Sequence, residues 1–268
     1  MKLSQHSRKA LIVLGTVAFS LVSFPGAGQS QVGSPVLPTE AVPNSPAEAL
    51  PQSQIVFNAP PPPNQGTPSG RAQGGASRGP CQDYEDLAAL VPTIEGIVWG
   101  KTTQAAPSLW FYLAHPRPAP PPNEFAHQHA ADNYVYQTSL TAPETSPGLI
   151  RFQVEPEAQP LQPDQLYTWT LIVYCDPAQP TRSVFVTGTL QQAPPDSALQ
   201  AQLATAGALE QAQLYAANGI WHDALNILAE QYQVQPSDGQ IATIWTDLLQ
   251  QAGLEHLTAK PFSPCCGS

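Results

Sequence analysis

The chain has 268 residues, with 10 Lys and Arg against 20 Asp and Glu for a formal net charge of −10, and 31 prolines that confine it to short elements. Phosphate binding needs clustered basic residues, so this balance excludes nucleic acid and anionic lipid surfaces as partners.

The N-terminus reads as an address. Lys2, Arg8 and Lys9 form a positive region, Ala10 to Phe24 is apolar or small throughout, and Gly26-Ala27-Gly28 offers the small side chains of a cleavage site. Residues 1–28 are therefore expected to be a secretory signal peptide, since about 15 apolar residues fall short of the roughly 20 a membrane-spanning helix needs. Its removal takes away three cations and no acids, leaving about −13 on the mature chain. The mature chain is expected not to be transmembrane, and to reside in the periplasm or outside the cell. Exported cysteines favour disulfides. Cys81 opens the folded region and Cys175 ends its most apolar strand, so these two are paired; Cys265 and Cys266 form a second thiol pair at the terminus whose state stays open between mixed pairing, an intermolecular bridge and free thiols.

Residues 29–53 are rich in Pro, Ser and Ala without periodicity, which predicts a disordered tether. Ile55-Val56-Phe57 is a short strand signal, followed by polyproline at Pro60 to Pro63 and a glycine- and arginine-rich loop from Gly66 to Gly79. A β-sandwich domain is expected over 54–192, with strands at Ile94–Trp99, Leu109–Leu113, Glu124–His129, Asn133–Leu140, Leu149–Val154, Leu166–Cys175 and Val184–Gln191. The spacing Leu161-x-Pro163-x-x-x-Tyr167-x-Trp169 resembles the tyrosine corner of fibronectin type III and immunoglobulin-like sandwiches. Cys175 lies eight residues after that Tyr rather than two, so the antibody-type intersheet disulfide is not implied.

Residues 193–258 switch to a helical period. One helix is expected from Asp196 or Ser197 to Ala217, a second from Trp221 to about Gln231, and a third capped by Ser237 or Asp238, with Asn218-Gly219, Pro236 and Gly253 as stops. The spacing Ala212-x-x-Tyr215-x-x-x-Gly219-x-Trp221-x-x-Ala224-Leu225-x-x-Leu228 resembles one and a half tetratricopeptide units. So short an array must lean on the β domain or on a partner. Tyr215, Trp221, Trp245 and Leu249 are the candidate walls of a partner groove in it, and residues 259–268 are a C-terminal tail.

Seven stretches stand out together: Ile55-Val56-Phe57; Gly66-x-Pro68-x-x-Arg71-x-x-Gly74-Gly75-x-Ser77-Arg78-Gly79-Pro80-Cys81; Leu90-Val91-Pro92; Leu109-Trp110-Phe111-Tyr112; Tyr167-x-Trp169; Cys175-Asp176-Pro177; and Asn218-Gly219-Ile220-Trp221. In combination they resemble a family of exported proteins found mostly in cyanobacteria, domain of unknown function 928. The likeness covers about residues 54–258. It implies export, one β domain and a helical C-terminal segment, and carries over no catalytic residues.

Three further constellations bear on chemistry. Arg71, Gly74, Gly75 and Arg78 are a candidate anion loop, set against a shaped loop whose arginines pair with carboxylates. His127 and His129 fall on one strand face at a metal-ligand spacing, with His115 or Asp132 as a third ligand, although solvent-facing sheet histidines fit as well. Trp99, Trp110, Phe111 and Tyr112 are either a sugar-stacking platform or core residues, with core preferred. No nucleophile elbow, phosphate loop or His-Glu-x-x-His helix is present, so neither a catalytic set nor a cofactor is expected. The leading expectation is a non-enzymatic protein-interaction module with a protein partner outside the cytoplasm. A carbohydrate or cell-wall binding domain is the alternative, and an exported hydrolase the lesser one.

Overall fold

Alternation decides which face each strand buries. The computed structural model describes residues 54–63, 69–75, 81, 84, 86–114, 123–129, 134–140, 147–154, 160–176, 179 and 181–264, with backbone only through most of 123–129 and 134–140. The expected signal peptide and tether, and Cys265 and Cys266, lie outside these residues. Among the described residues, nine strands run in chain order as β1 Ala88–Ala89, β2 Thr93–Ile94, β3 Ile97–Thr102, β4 Ser108–Leu113, β5 Asn123–His129, β6 Tyr134–Leu140, β7 Gly148–Gln153, β8 Leu166–Tyr174 and β9 Ser183–Gln192. They form a six-stranded sheet in the order β2-β3-β9-β8-β5-β6 and a three-stranded sheet in the order β1-β4-β7. Every pairing is antiparallel except β3 with β9.

The two sheets share one apolar core. Tyr167, Trp169, Leu171 and Val173 alternate inward along β8 and meet Leu109, Phe111, Ile150 and Phe152 from the smaller sheet. Trp169 packs edge-on against Phe111, ring centres 5.6 Å apart. Its indole also lies over the backbone of Gly188, where a Cβ would come within 2.5 Å, so no larger residue fits at that crossing. The corner before β8 is tied by the Gln162 amide, which donates to the Tyr167 hydroxyl at 2.8 Å. Cys81 and Cys175 are joined, with their Cα atoms 5.1 Å apart and a sequence separation of 94. Closing a loop that long stabilises by about 4–5 kcal/mol in the chain-entropy picture.

One expected strand is two. Ile94–Trp99 breaks at Glu95 and Gly96, both at positive φ (51° and 80°), which makes a tight hairpin between β2 and β3. The turn was hidden because Glu rather than Asn or Asp occupies its first position.

After Pro194-Pro195 come α1 Ser197–Leu203, α2 Ala208–Ala217, α3 Trp221–Val234 and α4 Gly239–Gln251, then a 3-10 turn at Glu255–Leu257. The single helix expected to reach Ala217 is broken at 204–207, where Gly207 starts α2. Asp196 caps α1 by accepting from Leu199 N, and Asp238 caps α4 by accepting from Gln240 N and Ile241 N. Gly219 and Gly253, at φ 71° and 72°, end α2 and α4 with paired bonds back to Ala216 and Tyr215, and to Gln250 and Leu249. Ala212, Ala216 and Ala224 are fully buried, and such small side chains let α2 and α3 approach closely.

The helices cover the outer face of the three-stranded sheet. Ala88, Leu90, Trp110, Tyr112 and Leu149 form a second core with Trp221, Leu225, Leu228, Trp245 and Leu249. Thus β4 is buried on both faces, and Ser-Leu-Trp-Phe-Tyr-Leu is a continuous apolar run rather than an alternating one. Three indole N–H groups stitch this layer: Trp221 to Leu90 O (2.8 Å), Trp245 to Thr258 O (3.1 Å) and Trp110 to Asn226 Oδ1 (3.3 Å). The tail takes part too. Phe262 bridges in parallel beside Leu149 and inserts its ring against Trp110, Tyr232 and Trp245. Residues 49–268 cluster as one unit.

Candidate functional site

The residues expected to wall a partner groove lie mostly beneath it. Trp221, Trp245 and Leu249 are fully buried in the helical core, because each faces the sheet or a neighbouring helix, and only Tyr215 is partly exposed. With the strap in place the three form the floor of the layer, and Trp221 is the one of them that meets the strap's Phe57 ring.

A groove does exist, and the chain itself fills it. Gln54 to Pro63 runs without regular secondary structure across the ends of α2 and α4. Ile55 is buried in the helical core, and Phe57 packs edge-on against Trp221 with ring centres 5.0 Å apart. Side-chain amides grip the strap's backbone: Gln213 Nε2 donates to Gln54 O at 2.6 Å, and Gln251 Nε2 donates to Ile55 O at 2.9 Å. Gln251 Oε1 accepts from Phe57 N at 2.8 Å. Asn58 then closes on the end of α2, its backbone N–H donating to Ala216 O (3.1 Å) and its side-chain amide to Ala217 O (2.7 Å). Gly219 is required here, since a Cβ would stand 2.8 Å from Asn58 O and 3.0 Å from Pro60. Two apolar anchors separated by one residue, held by amide contacts to the main chain, is how a groove receives an extended peptide.

The glycine- and arginine-rich loop is built into the sheets. Arg71 exchanges backbone bonds with Thr187, and its guanidinium lies over the Phe185 ring at 4.8 Å. The Gly74 amide donates to Leu87 O, and a Cβ at Gly74 would meet Val184 and Leu87. That amide is committed to a strand-like bond, so it does not cradle an anion; Gly75 faces the Arg71 guanidinium, and Arg78 is outside the described residues. His127 and His129 stand opposite Trp169 and Tyr167 in the β5–β8 ladder, with a register shift after His127 in the β5–β6 ladder. Their proposed third ligands, His115 and Asp132, lie outside the described residues. Trp99, Trp110, Phe111 and Tyr112 are all buried, so this set offers no face for stacking a sugar.

A second concavity lies where α2 and α3 cross the ends of β3 and β4. It encloses about 310 Å³ and is lined mainly by hydroxyl and amide side chains, among them Ser108, Gln153 and Gln211. His222 and Asp223, in the first turn of α3, line it as well. His222 is only 2% exposed, and burial lowers its pKa to about 4, so the imidazole is neutral near pH 7. Its Nε2 has no hydrogen-bond partner among the described residues and rests over Gly100, where a Cβ would come within 2.9 Å. Asp223 accepts from Thr103 N (3.0 Å), Thr103 Oγ1 and Gln104 Nε2 (3.3 Å), which pins the strand end to the helix start. Desolvation, and then the nearby Asp223 charge, raise the Tyr215 pKa against the lowering effect of its bond with Thr103. Sequence reasoning passed over His222, Asp223, Gln213 and Gln251, since a polar residue on a helix ordinarily faces water. The buried small residue opposite, Gly100 in a strand, was the signal that something approaches closely there.

Residues 73–262 match the family described as Domain of Unknown Function (DUF928). The matched span includes β1 to β9, α1 to α4 and the polar concavity, and starts after the strap and its core residue Ile55. No curated protein and no solved structure matches the chain.

Proposed function

Because the chain belongs to the DUF928 family, a domain whose description assigns no activity, we propose that it is an exported, non-enzymatic protein-interaction module whose receptor is the groove now holding Gln54 to Pro63. The observation that carries this is the way the groove is filled. Its occupant is an extended segment, anchored by Ile55 and Phe57 and gripped through its main chain by Gln213 and Gln251. A partner segment with two apolar residues separated by one other, followed by Asn, satisfies the same contacts and displaces the strap.

Two finer features of the architecture belong to the same proposal. The β part is an immunoglobulin-like sandwich, in support of which stand the β1-β4-β7 and β9-β8-β5-β6 orders and the bonded hydroxyl of Tyr167 before β8. The α2–α3 pair is a tetratricopeptide-like hairpin, in support of which stand its buried alanines and the Gly219 turn. Export is supported by the N-terminal sequence and by a disulfide that fits an oxidising compartment.

The test uses the full chain carrying Ile55→Asp and Phe57→Asp, which empties the groove without altering its walls. Titrated with a peptide of residues 54–63, this variant gives saturable binding, and a peptide with Phe57→Asp binds at least tenfold more weakly. A folded variant that ignores the native peptide refutes the receptor.

A further inference from the structure

The polar concavity at the start of α3 carries a separate function. We infer that it is a binding site for a neutral, polyhydroxylated ligand of one or two sugar rings. At about 310 Å³ it falls within the range of small-molecule pockets. Among the described residues its lining contains no Lys or Arg, and Asp223 stands in it, so phosphate and carboxylate ligands meet repulsion there.

What the lining offers is neutral donors and acceptors on both sides. Ser108 and Gln153 stand opposite each other on β4 and β7. Gln211 spends its N–H groups on Leu203 O and Ala206 O at 3.1 Å each, which leaves its carbonyl oxygen as an acceptor. The Asp223 carboxylate is held in place by Thr103, so it can receive a ligand hydroxyl without first being ordered. The ring of Tyr215 and the side chain of Ile227 supply the apolar contact that a sugar's C–H face needs. Behind this wall the Nε2 of His222, packed against Gly100, has no hydrogen-bond partner among the described residues.

Titration calorimetry of the chain lacking residues 1–28 with glucose, N-acetylglucosamine and maltose tests this. At least one sugar is expected to bind saturably. Gln153→Leu should weaken that binding at least fivefold, and Ala106→Trp, which fills the concavity from a half-buried loop position, should abolish it. Phe57→Asp in the strap leaves it unchanged, which separates this site from the groove. Circular dichroism confirms that each variant is folded. Three results overturn the inference: no heat from any sugar at about 50 mM, far above a millimolar Kd; sugar binding that survives Ala106→Trp; or binding only of the amine putrescine, lost in Asp223→Asn.

Discussion

The two faces of the three-stranded sheet are buried by different chemistry. On the inner face, Leu109, Phe111 and Ile150 meet the larger sheet in a core made of rings and aliphatic chains, where the Trp169 N–H has no acceptor among the described residues. On the outer face, Trp110, Tyr112 and Leu149 meet helices whose indoles all donate hydrogen bonds, and that interface opens into the strap groove and the polar concavity. Dispersion and burial are non-directional and hold the first interface together; directional bonds fix the register of the second. Both proposed recognition sites lie on the second face, where polar side chains line the concavity and the strap crosses the helices.

The largest effect expected is on the dry side. Trp169→Ala should cost about 3–5 kcal/mol in urea unfolding, because it removes a fully buried ring that also packs on Gly188. A loss under 1 kcal/mol would mean that the inner core is not the main source of stability.

The polar side answers to pH. His222 is neutral in the folded chain, with a pKa of about 4 instead of 6.5, so between those values the unfolded chain takes up a proton that the native one refuses. Stability is therefore complete above about pH 6.5 and falls as the pH drops toward 4, by up to about 3 kcal/mol from this residue. His222→Gln should flatten that part of the stability profile. An unchanged slope would show that the imidazole is not buried as described.

The smallest effect marks the surface. Arg151 and Glu230 form an ion pair at 2.6 Å with side chains 40% and 47% exposed. Arg151→Ala should cost under about 1 kcal/mol, and less still in added salt. A larger loss would mean that charge pairing, and not the indole bonds, holds α3 to β7.

Much of the inner core is legible in the sequence, since β8 alternates cleanly from Leu166 to Tyr174 and its partners sit in adjacent strands. The caps Asp196 and Asp238 and the Cys81–Cys175 pair are local or compositional signals, and they read correctly. The outer face is harder. Leu109 to Leu113 looks like one apolar run, because its odd members face one core and its even members another. The strap's hydrogen bonds join residues 158 to 196 positions apart, and nothing local in Ile55-Val56-Phe57 says which surface receives them. His222 and Asp223 read as ordinary helix polar residues until the strand end at Gly100 and Thr103 is set against them.

The central claim is that Gln54 to Pro63 is a displaceable occupant and not part of the permanent core. Native-state hydrogen exchange reads it directly from the amides of Phe57 and Asn58, bonded to Gln251 and Ala216, against those of β8 and β9. The strap amides should be protected yet exchange through a local opening, well before the β8–β9 amides, which wait for global unfolding. Exchange of both sets at one common rate, or no protection at all in the strap, would contradict it.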